Sequence, residues 1–201
     1  QVSRNIRVRS GEVLDRSSAD KRGVTTHMAD VSSDSASHEI GLRQLSEDGD
    51  VLTLIEDALE RLYNSGRFLF TLDYLLSECG FTPFRLFSEF GNFIDGNKMN
   101  LSDYAVHLFE YFRSFADEDI LKEKILCDLL SCSSALQIPE IFKTKDPLYK
   151  KIKKHFVENQ KDKIKIALLY KSQKIYVVNQ SSQKDLRGRY KGEFYDFSMI
   201  E

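Results

Sequence analysis

The stretch Val51-Leu-Thr-Leu-Ile-Glu-Asp-Ala-Leu-Glu-Arg-Leu-Tyr-Asn-Ser-Gly-Arg-Phe-Leu-Phe-Thr-Leu-Asp-Tyr-Leu-Leu-Ser-Glu-Cys-Gly80 decides the fold. Leu52, Ile55, Leu59 and Leu62 recur at helical spacing and mark one apolar stripe. Glu56, Asp57, Glu60 and Arg61 fill the opposite, wet face. Asn64-Ser65-Gly66 then interrupts the pattern, because glycine enters the left-handed conformation that closes a helix without a Cβ clash. A second apolar series, Leu69, Leu72, Leu75 or Leu76, and Cys79, runs to Gly80. Two helices with a short joint predict a helical hairpin.

Downstream, Thr82-Pro83 opens a third helix, Thr82 as N-cap and Pro83 in the first turn, where its missing N–H costs nothing. Its expected stripe is Phe84, Phe87, Phe90, Phe93 and Ile94, ended by the turn residues Asp95-Gly96-Asn97. A fourth helix follows Leu101-Ser102-Asp103, with Ser102 expected as cap and Ala105, Leu108, Phe109, Phe112 and Phe115 inward. Leu121, Ile125, Leu129 and Cys132 mark a fifth helix over 118–132, and Asp146-Pro147 opens a last one to about Asn159. The pattern then changes to β-branched and aromatic runs, Ile164 to Tyr170, Ile175 to Val178 and Tyr190 to Phe197, with a turn at Arg187-Gly188. The fold class is therefore α+β: a helical bundle of five to six helices followed by a small three-stranded antiparallel β-meander.

A chain of 201 residues suits one core of ordinary size, here expected over 46–201, preceded by an arm. Residues 1–45 are rich in Ser, Asp, Arg and Gly and hold few large side chains to offset ordering entropy, so a flexible arm or linker is expected there. His27-Met28 also fits an expression-vector junction. Fourteen Phe and nine Tyr without Trp predict a phenylalanine-rich core, and a mean hydropathy of -0.39 fits a soluble chain. The net charge of -2 gives no global attraction to nucleic acid or anionic membrane. No apolar run approaches the roughly 20 residues that span a bilayer. Three cysteines, Cys79, Cys127 and Cys132, cannot all pair with one another, which together with the lack of a signal-like apolar segment near Gln1 favours a cytoplasmic address.

Catalytic and metal signatures are sparse. Cys127 and Cys132 would point about 140° apart on a helix, and His27, His38, His107 and His155 are scattered, so no metal site is expected. There is no Gly-x-Ser-x-Gly elbow, phosphate-binding loop or dinucleotide fingerprint. Cys79 or Cys127 with His107 or His155 could pair in space, but buried helix thiols are ordinarily inert. Two candidate binding features stand beside plainer readings. Between Lys143 and Lys174 there are eleven lysines against three acids, and Lys150, Lys151, Lys153 and Lys154 flank Leu148, Ile152 and Phe156. That cationic helix face either touches nucleic acid, a membrane surface or an acidic protein, or is a solvated face balancing the acidic half of the chain. Asn64 and Arg67 sit at the bend, placed either to meet a ligand or partner, or to cap carbonyls and pair with Asp73 or Glu78.

The string Tyr63-Asn64-Ser65-Gly66-Arg67-Phe68 and its surroundings resemble a known module. That module is the uncharacterised C-terminal domain that follows the catalytic core of many bacterial cobalamin-binding radical S-adenosylmethionine proteins. Pro83-Phe84, Leu101-Ser102, Ile125-Leu126-Cys127-Asp128-Leu129-Leu130, Leu136-Gln137-Ile138-Pro139 and the terminal strands are similar to its later blocks, so the likeness spans roughly Leu42 to Glu201. Cys127-Asp128-Leu129 stands where that family tends to carry an aromatic residue. The resemblance implies an upstream partner core in the same polypeptide, with an iron–sulfur cluster, S-adenosylmethionine and cobalamin. This chain holds no Cys-x-x-x-Cys-x-x-Cys triplet and no cobalamin signature, so no cofactor is expected in it. What carries over is an accessory role in presenting a substrate or partner.

Overall fold

The computed structural model describes residues 50–132, 136–158 and 163–200. The expected arm over 1–45 lies outside them. Among these residues, six α-helices precede a three-stranded antiparallel sheet: α1 (residues 50–59), α2 (Leu69–Ser77), α3 (Pro83–Ile94), α4 (Leu101–Phe112), α5 (Glu118–Cys132) and α6 (Pro147–Glu158). The sheet order is β1 (Ile164–Leu169), β2 (Lys174–Asn179) and β3 (Gly192–Asp196).

Helix α1 runs into one π-helical turn, Glu60–Asn64, in which the Ser65 amide reaches back to Glu60 O at 2.9 Å. Gly66 follows at φ +64°, a conformation that costs an L-residue with a Cβ free energy. Leu62 behind the bend is fully buried, but Leu52, expected on the same stripe, is 59% exposed. α2 then packs chiefly against α5.

Local sequence explains the next two helix starts. Thr82 Oγ1 accepts the Arg85 amide, with Pro83 in the first turn. The α4 cap is Asn100, whose Oδ1 accepts the Asp103 amide at 2.9 Å, while the expected cap Ser102 donates instead to Gln137 O at 2.7 Å. Asn100 precedes the first helical residue and so carries the extended backbone a cap requires. The buried face of α3 is Leu86, Phe87, Phe90, Gly91 and Ile94. Phe84 and Phe93 lie outward, as does Phe115 beyond the end of α4. The reason is Gly91: a Cβ there would lie 2.6 Å from Leu54 O, so α1 crosses α3 on its glycine side.

α5 is the central element, touching α2, α4, β1 and β2. Leu121, Ile125 and Leu129 enter the aromatic core of the bundle, where Phe81 and Phe112 meet edge to face at 5.2 Å. Cys127 and Leu130 instead meet Ala167, Leu169, Tyr176 and Val178 on one face of the sheet. The other face, Ile164, Ile166, Leu168, Ile175 and Val177, is covered by Ile152 of α6. A sheet covered on both sides explains why β1 and β2 read as continuous apolar runs. The partners of Ile152 are Tyr149 and Phe156; Leu148, expected inward, is 38% exposed.

Candidate functional site

The bend after α1 is held by groups distant in sequence. α2 lacks a local cap: Phe68 precedes it and offers no polar atom. Asp128 of α5 takes that place, its Oδ1 accepting the Phe70 amide at 3.1 Å and its Oδ2 the Thr71 amide at 2.9 Å and the Thr71 hydroxyl at 2.8 Å. The N-terminus of α2 thus meets a carboxylate, which its dipole favours. Arg189 completes the arrangement. Its Nη2 donates to Asp128 Oδ1 at 2.9 Å, and its Nη1 donates to Gly66 O at 2.7 Å and Arg67 O at 2.9 Å. Asp128 is fully buried and Arg189 is 5% exposed. Burial raises the Asp128 carboxyl above its ordinary range, against the pull of Arg189 and the Thr71 donors.

Arg189 is itself placed by a turn. The Asp185 carboxylate accepts the Arg187 and Arg189 amides, and Gly188 closes the turn at φ +74°. Next to it, the Tyr190 amide donates to Ser131 O at 2.8 Å, and the Ser131 hydroxyl meets the Tyr176 hydroxyl at 2.7 Å. Glu123, also on α5, accepts the Lys171 and Ser172 amides of the β1–β2 turn at 2.6 and 3.2 Å. One helix therefore fixes the bend, the strand hairpin and the approach to β3 through Asp128, Glu123 and Ser131. None of the three lies on the stripe that marked α5 in the sequence.

On its outer side the bend borders a cleft of about 110 Å³, lined by Arg61, Arg67, Phe68, Met99, Asn100, Leu101 and Tyr104. Arg61 is engaged, its Nε on Asp57 Oδ1 at 3.0 Å and its Nη1 on Asn97 O at 3.2 Å. Arg67 is exposed and makes neither of the pairings weighed for it, with Asp73 or Glu78. Asn64 donates to Glu60 Oε2 at 2.8 Å, a side-chain contact within its own turn rather than a carbonyl cap.

Lys150, Lys151, Lys153 and Lys154 are all exposed on α6, more than one helix away in sequence from the bend. The cysteines differ among themselves. Burial pushes the Cys127 thiol far up and the Cys132 thiol up to about 11, and it also raises Cys79, so all three are protonated at neutral pH. His107 Nδ1 meets Asp103 O at 2.9 Å. Among the described residues, no three His, Cys, Asp or Glu side chains gather to hold a metal ion, and no helix is long and apolar enough to cross a membrane.

Sequence reasoning identified the bend but not its anchors. The one signal that pointed to them was Asp128 itself, a carboxylate in the middle of the apolar run Ile125 to Leu130. No match is found to a curated protein or to a solved structure. The family model described as "Protein of unknown function (DUF4080)" matches residues 46–197, which are the bundle, the bend with its anchors and the sheet, and the chain belongs to that family.

Proposed function

We propose that this domain is a non-catalytic accessory module that presents a substrate or partner to a radical S-adenosylmethionine core in the same polypeptide. The observation that carries the reading is the convergence of the residues behind the resemblance. Asp128 caps the helix that follows the Tyr63–Phe68 string, and Arg189 joins its carboxylate to the Gly66 and Arg67 carbonyls of that string, so these polar groups are spent on holding a bend. Such a bend is a rigid support, and it leaves Arg67 at the surface beside a cleft. Iron–sulfur, S-adenosylmethionine and corrinoid chemistry would belong to the upstream core.

The test uses the full gene product. Removing residues 46–201 should leave cluster assembly and reductive cleavage of S-adenosylmethionine intact while substrate turnover is lost. Turnover that survives the deletion, a gene product without an upstream cysteine triplet, or iron–sulfur absorption from this chain after anaerobic reconstitution would each overturn the reading.

The exposed α6 lysines favour a second reading, a free-standing interaction module for nucleic acid or an acidic protein. It requires binding that weakens steeply with salt, since each neutralised phosphate releases counterions. RNA that fails to bind at low ionic strength removes its nucleic-acid form, and an acidic polypeptide that also fails to bind removes the rest.

A further inference from the structure

The bend leaves one buried polar atom without a partner. Tyr104 is 3% exposed, and its hydroxyl is buried with no hydrogen-bond partner. Buried hydroxyls are ordinarily satisfied, so an orphan of this kind points to a missing acceptor or donor. Tyr104 is the fourth residue of α4, and its ring packs against Phe68 and Phe90 beneath the Arg61 guanidinium. There it forms part of the wall of the 110 Å³ cleft.

The cleft gathers further donors. The Asn100 side chain serves the Asp103 amide, while the amide of Leu101, a residue of the cleft wall at the start of a twelve-residue helix, has no acceptor among the described residues, and neither has that of Ser102 next to it. Arg67 brings an exposed guanidinium without a hydrogen bond or ion pair among them. The carboxylates nearby in the chain are already engaged, Asp57 by Arg61 and Asp103 by the Asn100 amide. Burial also raises the Tyr104 phenol, which therefore stays protonated and able to donate.

We propose that this cleft binds a single oxyanion group, a phosphate or carboxylate carried on a larger molecule, between Arg67, the α4 N-terminus and the Tyr104 hydroxyl. Helix amides and an arginine fork suit two oxygens of such a group, and the hydroxyl suits a third contact or a share of one. The volume admits the charged group alone, so the rest of the ligand would extend over the surface outside the cleft. The assignment needs no upstream core and stands or falls separately from the accessory role.

The experiment is an amide-resolved titration of the full 201-residue chain with inorganic phosphate and with acetate, at fixed ionic strength held by chloride. Saturable shifts at Leu101 and Ser102 are expected, and the anion with the lower Kd identifies the preferred group. Arg67→Gln should raise that Kd at least fivefold. Tyr104→Phe, which keeps the ring, should raise it at least threefold while the chain remains folded. Arg113→Gln, at the far end of α4, should leave it unchanged. Shifts that fail to saturate with either anion, an unchanged Kd in Arg67→Gln, or equal weakening in Arg113→Gln would overturn the site.

Discussion

Replacing Arg189 by Met tests the bend most directly. The substitution keeps most of the apolar stem and removes three hydrogen bonds, to Asp128 Oδ1 at 2.9 Å, Gly66 O at 2.7 Å and Arg67 O at 2.9 Å. It also strands a carboxylate that is fully buried. Removing one member of a buried ion pair costs about 3–5 kcal/mol, most of it from the charge left behind. The upper end would apply if the Gly66 carbonyl stays dry, and the lower end if water enters at exposed Arg67. Arg189→Lys keeps the charge but cannot fork to a carboxylate and two carbonyls together, so its loss should fall between wild type and Met. Urea denaturation at pH 7 gives the numbers, with the slope m unchanged if only stability has moved. Burial already raises the folded-state pKa of Asp128 and Arg189 is the largest opposing influence, so the Met variant should raise it further. A raised folded-state pKa places the stabilising protonation on the acid side, its benefit lost as pH rises through that value. The deficit of Arg189→Met should therefore shrink as pH falls below 7. Adding Asp128→Asn to Arg189→Met should cost less than the sum of the two single changes, by roughly 0.5–3 kcal/mol. A loss below about 1 kcal/mol, as at an ordinary surface site, or strict additivity of the pair, would refute the lock.

The remaining expectations follow from single groups. Gly66→Val should cost at least about 1 kcal/mol, because φ is +64° and a Cβ there would also approach Arg187 Cδ to 2.8 Å; an unchanged melting temperature would contradict the bend. Leu62→Ala should cost roughly 2–5 kcal/mol by chemical denaturation, since Leu62 is 0% exposed behind that bend; less than half the lower figure would place it outside the core. Burial pushes the Tyr176 phenol up to about 12 from 10.0, so the folded state holds its proton more tightly than the unfolded chain. The stability this confers is complete below pH 10 and is lost as pH climbs through about 12. Tyr176→Phe should remove roughly 2–3 kcal/mol of that alkaline decline, and an identical pH slope in wild type and variant would contradict the assignment.

The helices and strands were legible because their signals are local. Thr82-Pro83 declares a helix start, and the change of period after Asn159 declares the strands. The errors arose where a neighbour decides which face is buried. Phe84 and Phe93 fall at helical spacing with Phe87 and Phe90, yet α1 approaches α3 over Gly91, where the nearest backbone atom would meet a Cβ at 2.6 Å. Hydrophobicity marks a residue that can be buried, and the crossing of two helices selects which one is. Gly192 repeats the lesson in the sheet, since the Tyr176 ring occupies the place its side chain would take.

The candidate site was half legible for a related reason. Asn64-Ser65-Gly66 announces a bend, and Gly66 does take positive φ, but a bend alone does not explain why α2 can begin without a capping residue. The missing cap is supplied 57 residues away by Asp128, and the carbonyls of the bend are served from Arg189, over 120 positions on. No periodicity connects those positions; only the packing of α5 against α2 and of the Asp185–Arg189 turn against the bend brings them together. A charged residue within an apolar helical run is nevertheless readable in principle, because it must find partners when it is buried. Asp128 meets that description, while Glu123, flanked by Lys122 and Lys124, and the uncharged Ser131, the other two anchors on α5, do not. The partners of all three include backbone amides, at the start of α2, in the β1–β2 turn and just before β3, which makes α5 the element that converts a helical bundle and a meander into one frame for the cleft beside Arg67.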